Sequence, residues 1–215
     1  RAGNKVELLI PQKGAKKSLV LQAKENAEDA IKRRLAEAAS QRELLDRIAE
    51  KFGLDAVPER IEVYDNSHIS GSNPVGAMIV SGREGILRNQ FRKFNIKSKD
   101  SSPGDDYAML REVLTRRFSR LIKESDKLST INWPDLVLID GGAGHLAEAE
   151  KVFEEFGITG ITIAAIAKGP DRNAGKEKFY LSGKPALQFK EGDPVLFYLQ
   201  RLRDESHRYV LQSHR

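Results

Sequence analysis

The sequence predicts an α/β protein: a mixed five-stranded sheet flanked by helices, with an N-terminal helical extension. Three observations carry that prediction. Leu136 to Ile139 is an unbroken apolar run, too short for a helix and rich in branched residues, so it reads as a strand buried on both faces. It ends on Asp140, and Gly141, Gly142 and Gly144 follow before an amphipathic helix begins near His145. Three β-type runs precede it, joined by short turns carrying glycine, asparagine and proline, and short connections favour antiparallel neighbours.

In chain order, Val6 to Ile10 is a short β-like run, followed by Pro11, Gly14 and a lysine cluster at Lys13, Lys16 and Lys17. From about Ser18 to Phe52 the apolar positions Leu21, Ala27, Ile31, Leu35, Leu44, Leu45 and Ile48 recur near the helical period, which predicts a long or broken helix. Gly53 and Pro58 mark the entry to the main domain, giving an extension over residues 1–58 and a sheet domain over residues 59–215. The three β-type runs are Arg60 to Asp65, Val75 to Ser81 and Leu87 to Ile96. Pro103 and Gly104 open a helix with Leu110, Val113, Leu114, Phe118 and Leu121 on one face. After the Leu136 strand comes a helix over about 143–156, then a fifth strand from Ile161 to Ala167. A hairpin or loop excursion over 176–190 precedes a last helix from about Pro194 to Ser213. Three antiparallel strands followed by αβαβα is the order of a ribonuclease H-like mixed sheet. Right-handed crossovers let the fourth strand lie parallel beside the first. Asp65 and Asp140 then become neighbours at the end of the sheet, where open α/β sheets place ligands.

Composition narrows the class. The chain has 215 residues, 40% hydrophobic and 31% charged, the balance of a soluble globular protein. No apolar run approaches the length of a membrane span, so no membrane partner is expected. The first residues lack the apolar core of a signal peptide and an initiator Met, so the chain is expected to be a piece of something longer. With no cysteine there is no disulfide framework or thiolate zinc site, which fits the cytoplasm. The formal net charge of +5 favours an anionic partner such as nucleic acid.

Asp65 puts an acid into an otherwise apolar strand, and Asp140 ends a buried one. Two carboxylates side by side repel unless a divalent cation sits between them. Asp105 and Asp106 precede a helix, where aspartate commonly caps free N–H groups. On the last helix, Val195, Leu199, Leu202, Ser206 and Val210 form the buried stripe and Gln200, Arg203 and His207 the adjoining one. A histidine on that border can reach the end of the sheet and keep one ring nitrogen free. Arg88, Arg92, Lys93, Arg116, Arg117, Lys168 and Arg172 cluster as a candidate phosphate track. Phe91, Phe94, Phe179 and Tyr180 read as core. An alternative is a nucleotide-binding domain that uses the glycine turn as a phosphate cradle, and another is a catalytically silent binding module.

Six stretches in order resemble one family. They are Tyr64-Asp65-Asn66-Ser67-His68-Ile69-Ser70-Gly71, Phe91-Arg92-Lys93-Phe94-Asn95-Ile96, Gly104-Asp105-Asp106-Tyr107, Leu138-Ile139-Asp140-Gly141-Gly142, Ala167-Lys168-Gly169 and Arg203-Asp204-Glu205-Ser206-His207-Arg208. They resemble the C-terminal ribonuclease H-like endonuclease domain of the UvrC family of bacterial nucleotide excision repair, over about residues 59–215. Asn66, Ser70 and His145 depart from the usual pattern. The resemblance implies a metal-dependent 5′ incision on the damaged strand, with Asp65, Asp140 and His207 as catalytic triad and Asp106 as a further acid. Asp65 and Asp140 are then expected to hold Mg²⁺ or Mn²⁺, with His207 as a third ligand or as the group that orients or deprotonates the water, and the basic residues Arg92, Lys93, Lys168, Arg172 and Arg203 are expected to contact DNA. Expected partners are damaged double-stranded DNA and UvrB, the latter through a segment outside this chain, which is itself expected to be monomeric.

Overall fold

The computed structural model describes residues 11–67, 74–97, 105–125, 133–169 and 177–212. The candidate strand at Val6 to Ile10, the second half of the Tyr64 motif from His68 onward, and Arg172 lie outside them.

The chain divides into two compact units, Arg1–Ser40 and Gln41–Arg215. The described part of the first is one helix, the leading portion of α1 (Gly14–Phe52). Leu21, Ile31 and Leu35, read as positions of the helical period, are exposed, as are Leu19 and Val20. The helical period is real, but burial begins only near Leu45, because a periodic stripe is covered only where a packing partner exists.

The second unit is built on a seven-stranded mixed sheet among the described residues. Its strands are β1 (Arg60–Ser67), β2 (Val75–Gly82), β3 (Gly85–Ile86), β4 (Arg92–Asn95), β5 (Leu136–Asp140), β6 (Thr162–Ala167) and β7 (Lys178–Leu181). The order is β3-β2-β1-β5-β6-β7, with β4 also pairing with β2. β1 runs antiparallel to β2 and parallel to β5, β5 parallel to β6, and β6 antiparallel to β7.

Five strands become seven for two local reasons. The run expected from Leu87 to Ile96 opens with a 3-10 turn at Arg88–Gln90 and keeps only β4 as strand, while β3 forms before it, in the expected turn at Gly85, and both pair with β2. The excursion over 176–190 contributes β7 to the sheet, because Phe179 and Leu181 alternate inward and are buried.

Helices cover both faces. α2 (Asp106–Ser125) and α3 (Ala143–Glu155) pack on Tyr64, Val80, Val137, Ile139 and Ala165. The end of α1, through Leu45, Ile48 and Phe52, and α4 (Pro194–Leu211) pack on Ile61, Val63, Ile79, Leu138 and Ile166. The predicted stripe of α4 is fully buried at Val195, Leu199, Leu202, Ser206 and Val210. Asp193 caps α4 by accepting from the Val195 N–H at 2.8 Å and takes both 2.9 Å bonds from Arg47, which ties the end of α1 to the start of α4.

Alternation along β1 sorts its charged residues between the faces. Ile61, Val63 and Asp65 face α4, while Glu62 and Tyr64 face α2. Glu62 is wholly buried there and accepts from Arg60 (2.8 Å), Tyr64 (2.5 Å) and Arg117 (2.5 and 3.1 Å). Burial alone would raise its carboxyl, but Arg117 and Arg60 outweigh that and hold it below the usual carboxylate range.

Candidate active site at the end of β1 and β5

The site is made by register. Tyr64 pairs with Ile139 across the parallel β1–β5 ladder, so the next residues, Asp65 and Asp140, lie side by side. Both are on the α4 face, about 4.8 Å apart at the backbone as neighbouring strands are. A cross-strand row runs Lys93–Ala77–Asp65 through β4, β2 and β1, then on to Asp140 and Ile166.

Asp65 is buried, at 6% exposed. Burial, and next the charge of Asp140, push its carboxyl from 3.8 up to about 6, against the opposing influence of His207 and the Asn66 N–H. Burial also raises Asp140, opposed by the charges of Arg203, Lys168 and His207. The two acids form a like-charge pair in a poorly hydrated corner.

His207 lies on the border of the α4 stripe, half exposed, with Nδ1 2.9 Å from Asp65 Oδ2. With the carboxylate ionised, Nδ1 donates and Nε2 remains as an acceptor toward solvent. Arg203, one turn earlier, is not the surface cation its position suggests. It is 8% exposed, held by Glu177 at 3.2 Å and Asp204 at 2.8 Å.

Asp105 is a helix cap: its Oδ1 accepts from the Ala108 N–H at 3.0 Å. Asp106 opens α2, half-buried and already engaged. Tyr107 lies against His145, ring centres 4.7 Å apart with the planes tilted at 48°, and so joins the start of α2 to the turn after Asp140. Gly141 turns with φ +155°, and a Cβ there would come within 2.4 Å of the His145 ring, so this close turn needs glycine. Lys93 is exposed and holds its Nζ 4.6 Å over the Tyr209 ring, on the acid pair's face. Arg92 points to the opposite face, and Lys168 is exposed just beyond β6.

The inward turn of Arg203, the Tyr107–His145 ring contact and the Glu62 cluster are not anticipated by sequence reasoning. Only Glu62 left a signal: the strand's alternation puts it on the same face as Tyr64.

Among the described residues, no three histidine or acidic side chains converge as a ready-made metal cluster. The donor set present is two hard carboxylates at a strand edge. That suits Mg²⁺ or Mn²⁺, ions that keep several waters and bind through one or two carboxylates together with substrate phosphate.

Residues 49–211 match the family model described as the UvrC RNAse H endonuclease domain. A UvrABC system protein C of Paramagnetospirillum magneticum is 54% identical over 215 residues, covering all of this chain and 34% of that protein. One of Nitrobacter hamburgensis is 52% identical over 225 residues, covering 33% of it. The chain thus spans about a third of the length of these curated relatives. Among solved structures, human ENDOV aligns with 82% of this chain and 99% of its own at 10% identity and a TM-score of 0.43. The Paramagnetospirillum and Nitrobacter proteins match the chain from end to end, and the family model takes in every strand of the sheet and all of α2, α3 and α4: the chain belongs to the UvrC RNase H endonuclease domain family.

Proposed function

We propose that this chain hydrolyses phosphodiester bonds of DNA as the part of a nucleotide excision repair nuclease that makes the 5′ incision on the damaged strand. The observation that carries the proposal is the side-by-side pair Asp65 and Asp140, with His207 bonded to the first. Asp65 and Asp140 would hold Mg²⁺ or Mn²⁺. That ion, when bound, polarises the scissile phosphate and offsets its charge.

The chain's own residues divide the remaining work. Asp65 holds the imidazole of His207 by Nδ1, which fixes the ring and its tautomer. Nε2 then accepts a proton from the attacking water as its oxygen closes on phosphorus and the P–O bond to the leaving group breaks. In this arrangement His207 handles the proton instead of serving as a third ligand. Asp106 orients groups at the same edge from α2. Lys93 and Lys168 draw phosphates toward the pair, while Arg203 tempers the charge of Asp140 from inside the fold.

Damaged double-stranded DNA is the substrate in this reading. Lesion finding and loading by UvrB belong to segments outside these residues, and the chain acts as a monomer in the bacterial cytoplasm. No helix among the described residues is long and apolar enough to cross a membrane.

A plasmid-nicking assay tests the proposal. The chain alone should nick slowly with Mn²⁺ at low ionic strength, without preference for a lesion, and Ca²⁺ should not substitute. Asp65→Asn or Asp140→Asn should abolish nicking. Retention of more than a few per cent of the parent rate would remove that residue from the site.

A further inference from the structure

The side of the sheet away from the acid pair carries a second concentration of charge. Between the edge strand β4 and α2 lies a groove of about 300 Å³ lined by Arg92, Phe94, Arg116, Arg117, Arg120 and Glu124, with Lys93 at its rim. Four arginines line it with one carboxylate, Glu124.

The cations are held in different ways. Arg117 is paired with the buried Glu62 and forms the floor. Arg92 and Arg116 are braced by backbone carbonyls, Arg92 on Phe91 O at 2.8 Å and Arg116 on Asn95 O at 2.7 Å. Those bonds fix the guanidinium groups without neutralising them. Glu112 reaches Arg116 at 3.2 Å and Glu124 holds Arg120 at 2.7 Å, and neither is enough to balance the groove. Arg116 also lies against the Phe94 ring. Braced, exposed guanidinium groups with spare donors suit oxyanions held by paired hydrogen bonds.

The position of β4 decides which polyanion. Alternation sends Arg92 into the groove and Lys93 to the opposite face, in the row that leads through Ala77 to Asp65. Two strand spacings separate Lys93 from Asp65, about 10 Å at the backbone. A nucleic-acid backbone crossing the sheet edge at β4 therefore meets a cation on each side and continues toward the acids. An acidic peptide has no such reason to follow that path.

We infer that the β4–α2 groove is a second phosphate-binding site, gripping the DNA backbone beside the cut through Arg92, Arg116 and Arg120. This rests on the reading of the chain as a DNA nuclease.

The test is binding of the chain to a short fluorescein-labelled duplex in EDTA, titrated across about 50–200 mM salt. Arg92→Gln with Arg120→Gln alters exposed side chains only. The slope of log K against log salt should become shallower by about 1.8, near 0.9 for each phosphate that is no longer neutralised. Arg83→Gln with Lys151→Gln removes the same charge elsewhere on the surface and should leave the slope unchanged. An unaltered slope in the groove variant overturns the inference, as does an equal loss in the control. So does groove-dependent capture of poly-glutamate with no change toward the duplex. Failure of the unmodified chain to nick plasmid DNA with Mn²⁺ overturns the nuclease reading instead, and the slope still decides the groove.

Discussion

Replacing Asp65 by asparagine should stabilise the fold while it destroys nicking. Folded Asp65 keeps its proton to about pH 6, against 3.8 for an ordinary aspartate. A raised acid means the unfolded chain releases its proton first, so the parent loses stability as pH climbs from about 4 through 6. At about 1.4 kcal/mol per pH unit of displacement, the gap amounts to about 3 kcal/mol above pH 7. Asp65 is 6% exposed, so solvent screening takes little from that figure, and the His207 and Asn66 bonds are already inside it. Asparagine keeps the shape and carries no charge. Urea unfolding in EDTA should therefore show near-equal stability at pH 4 and an advantage of about 2–3 kcal/mol for Asp65→Asn at pH 7.5. Saturating Mg²⁺ should narrow the gap by stabilising the parent alone. A variant no more stable than the parent at pH 7.5, or an advantage equally large at pH 4, would refute the account of the pair as a buried like-charge contact.

Asp140→Asn removes the second cause of the Asp65 displacement, so it too should stabilise above pH 6, and the double variant should gain less than the sum of the singles; strict additivity in urea midpoints would show that the carboxylates do not interact. His207→Ala should slow Mn²⁺-dependent nicking by about 10²–10⁴-fold, with little recovery at higher Mn²⁺ if Nε2 moves the proton; a parent-like single-turnover rate would end that role. Glu62→Ala strands Arg60 and Arg117 beneath the sheet and should cost about 3–5 kcal/mol by urea unfolding; a loss under about 1 kcal/mol would mean the cluster is solvated.

Much of the frame is legible because the decisive residues alternate or repeat cleanly. Leu136 to Ile139 is buried on both faces as a central parallel strand demands, and α2, α3 and α4 bury the stripes their periods predict. Asp140 is conspicuous because nothing in the strand's pattern calls for a charge, and His207 because it borders a stripe whose direction is known. Asp105 reads correctly as a cap. What stays hidden depends on partners far along the chain. Arg203 resembles any helix-border cation until Glu177, 26 residues earlier, draws it inward. The break at Arg88–Gln90 is invisible because Phe91, Phe94 and Ile96 are buried whether or not the strand is continuous. Exposed Leu21, Ile31 and Leu35 show the converse: a period reports what a helix offers, not what receives it.

The parallel pairing of β1 with β5 also has a kinetic side. Asp65 and Asp140 are 75 positions apart, and only the docking of two non-adjacent strands brings them together. Such contacts close late because the loop entropy comes due before the contact repays it. Here the last step also presses two carboxylates against each other before any substrate is present. Above pH 6 the chain must thus finish its sheet against its own acid pair, whereas mild acid or a divalent cation removes the opposition. The residues proposed to do the cutting are a brake on assembly, and the ion proposed for the reaction would also release that brake.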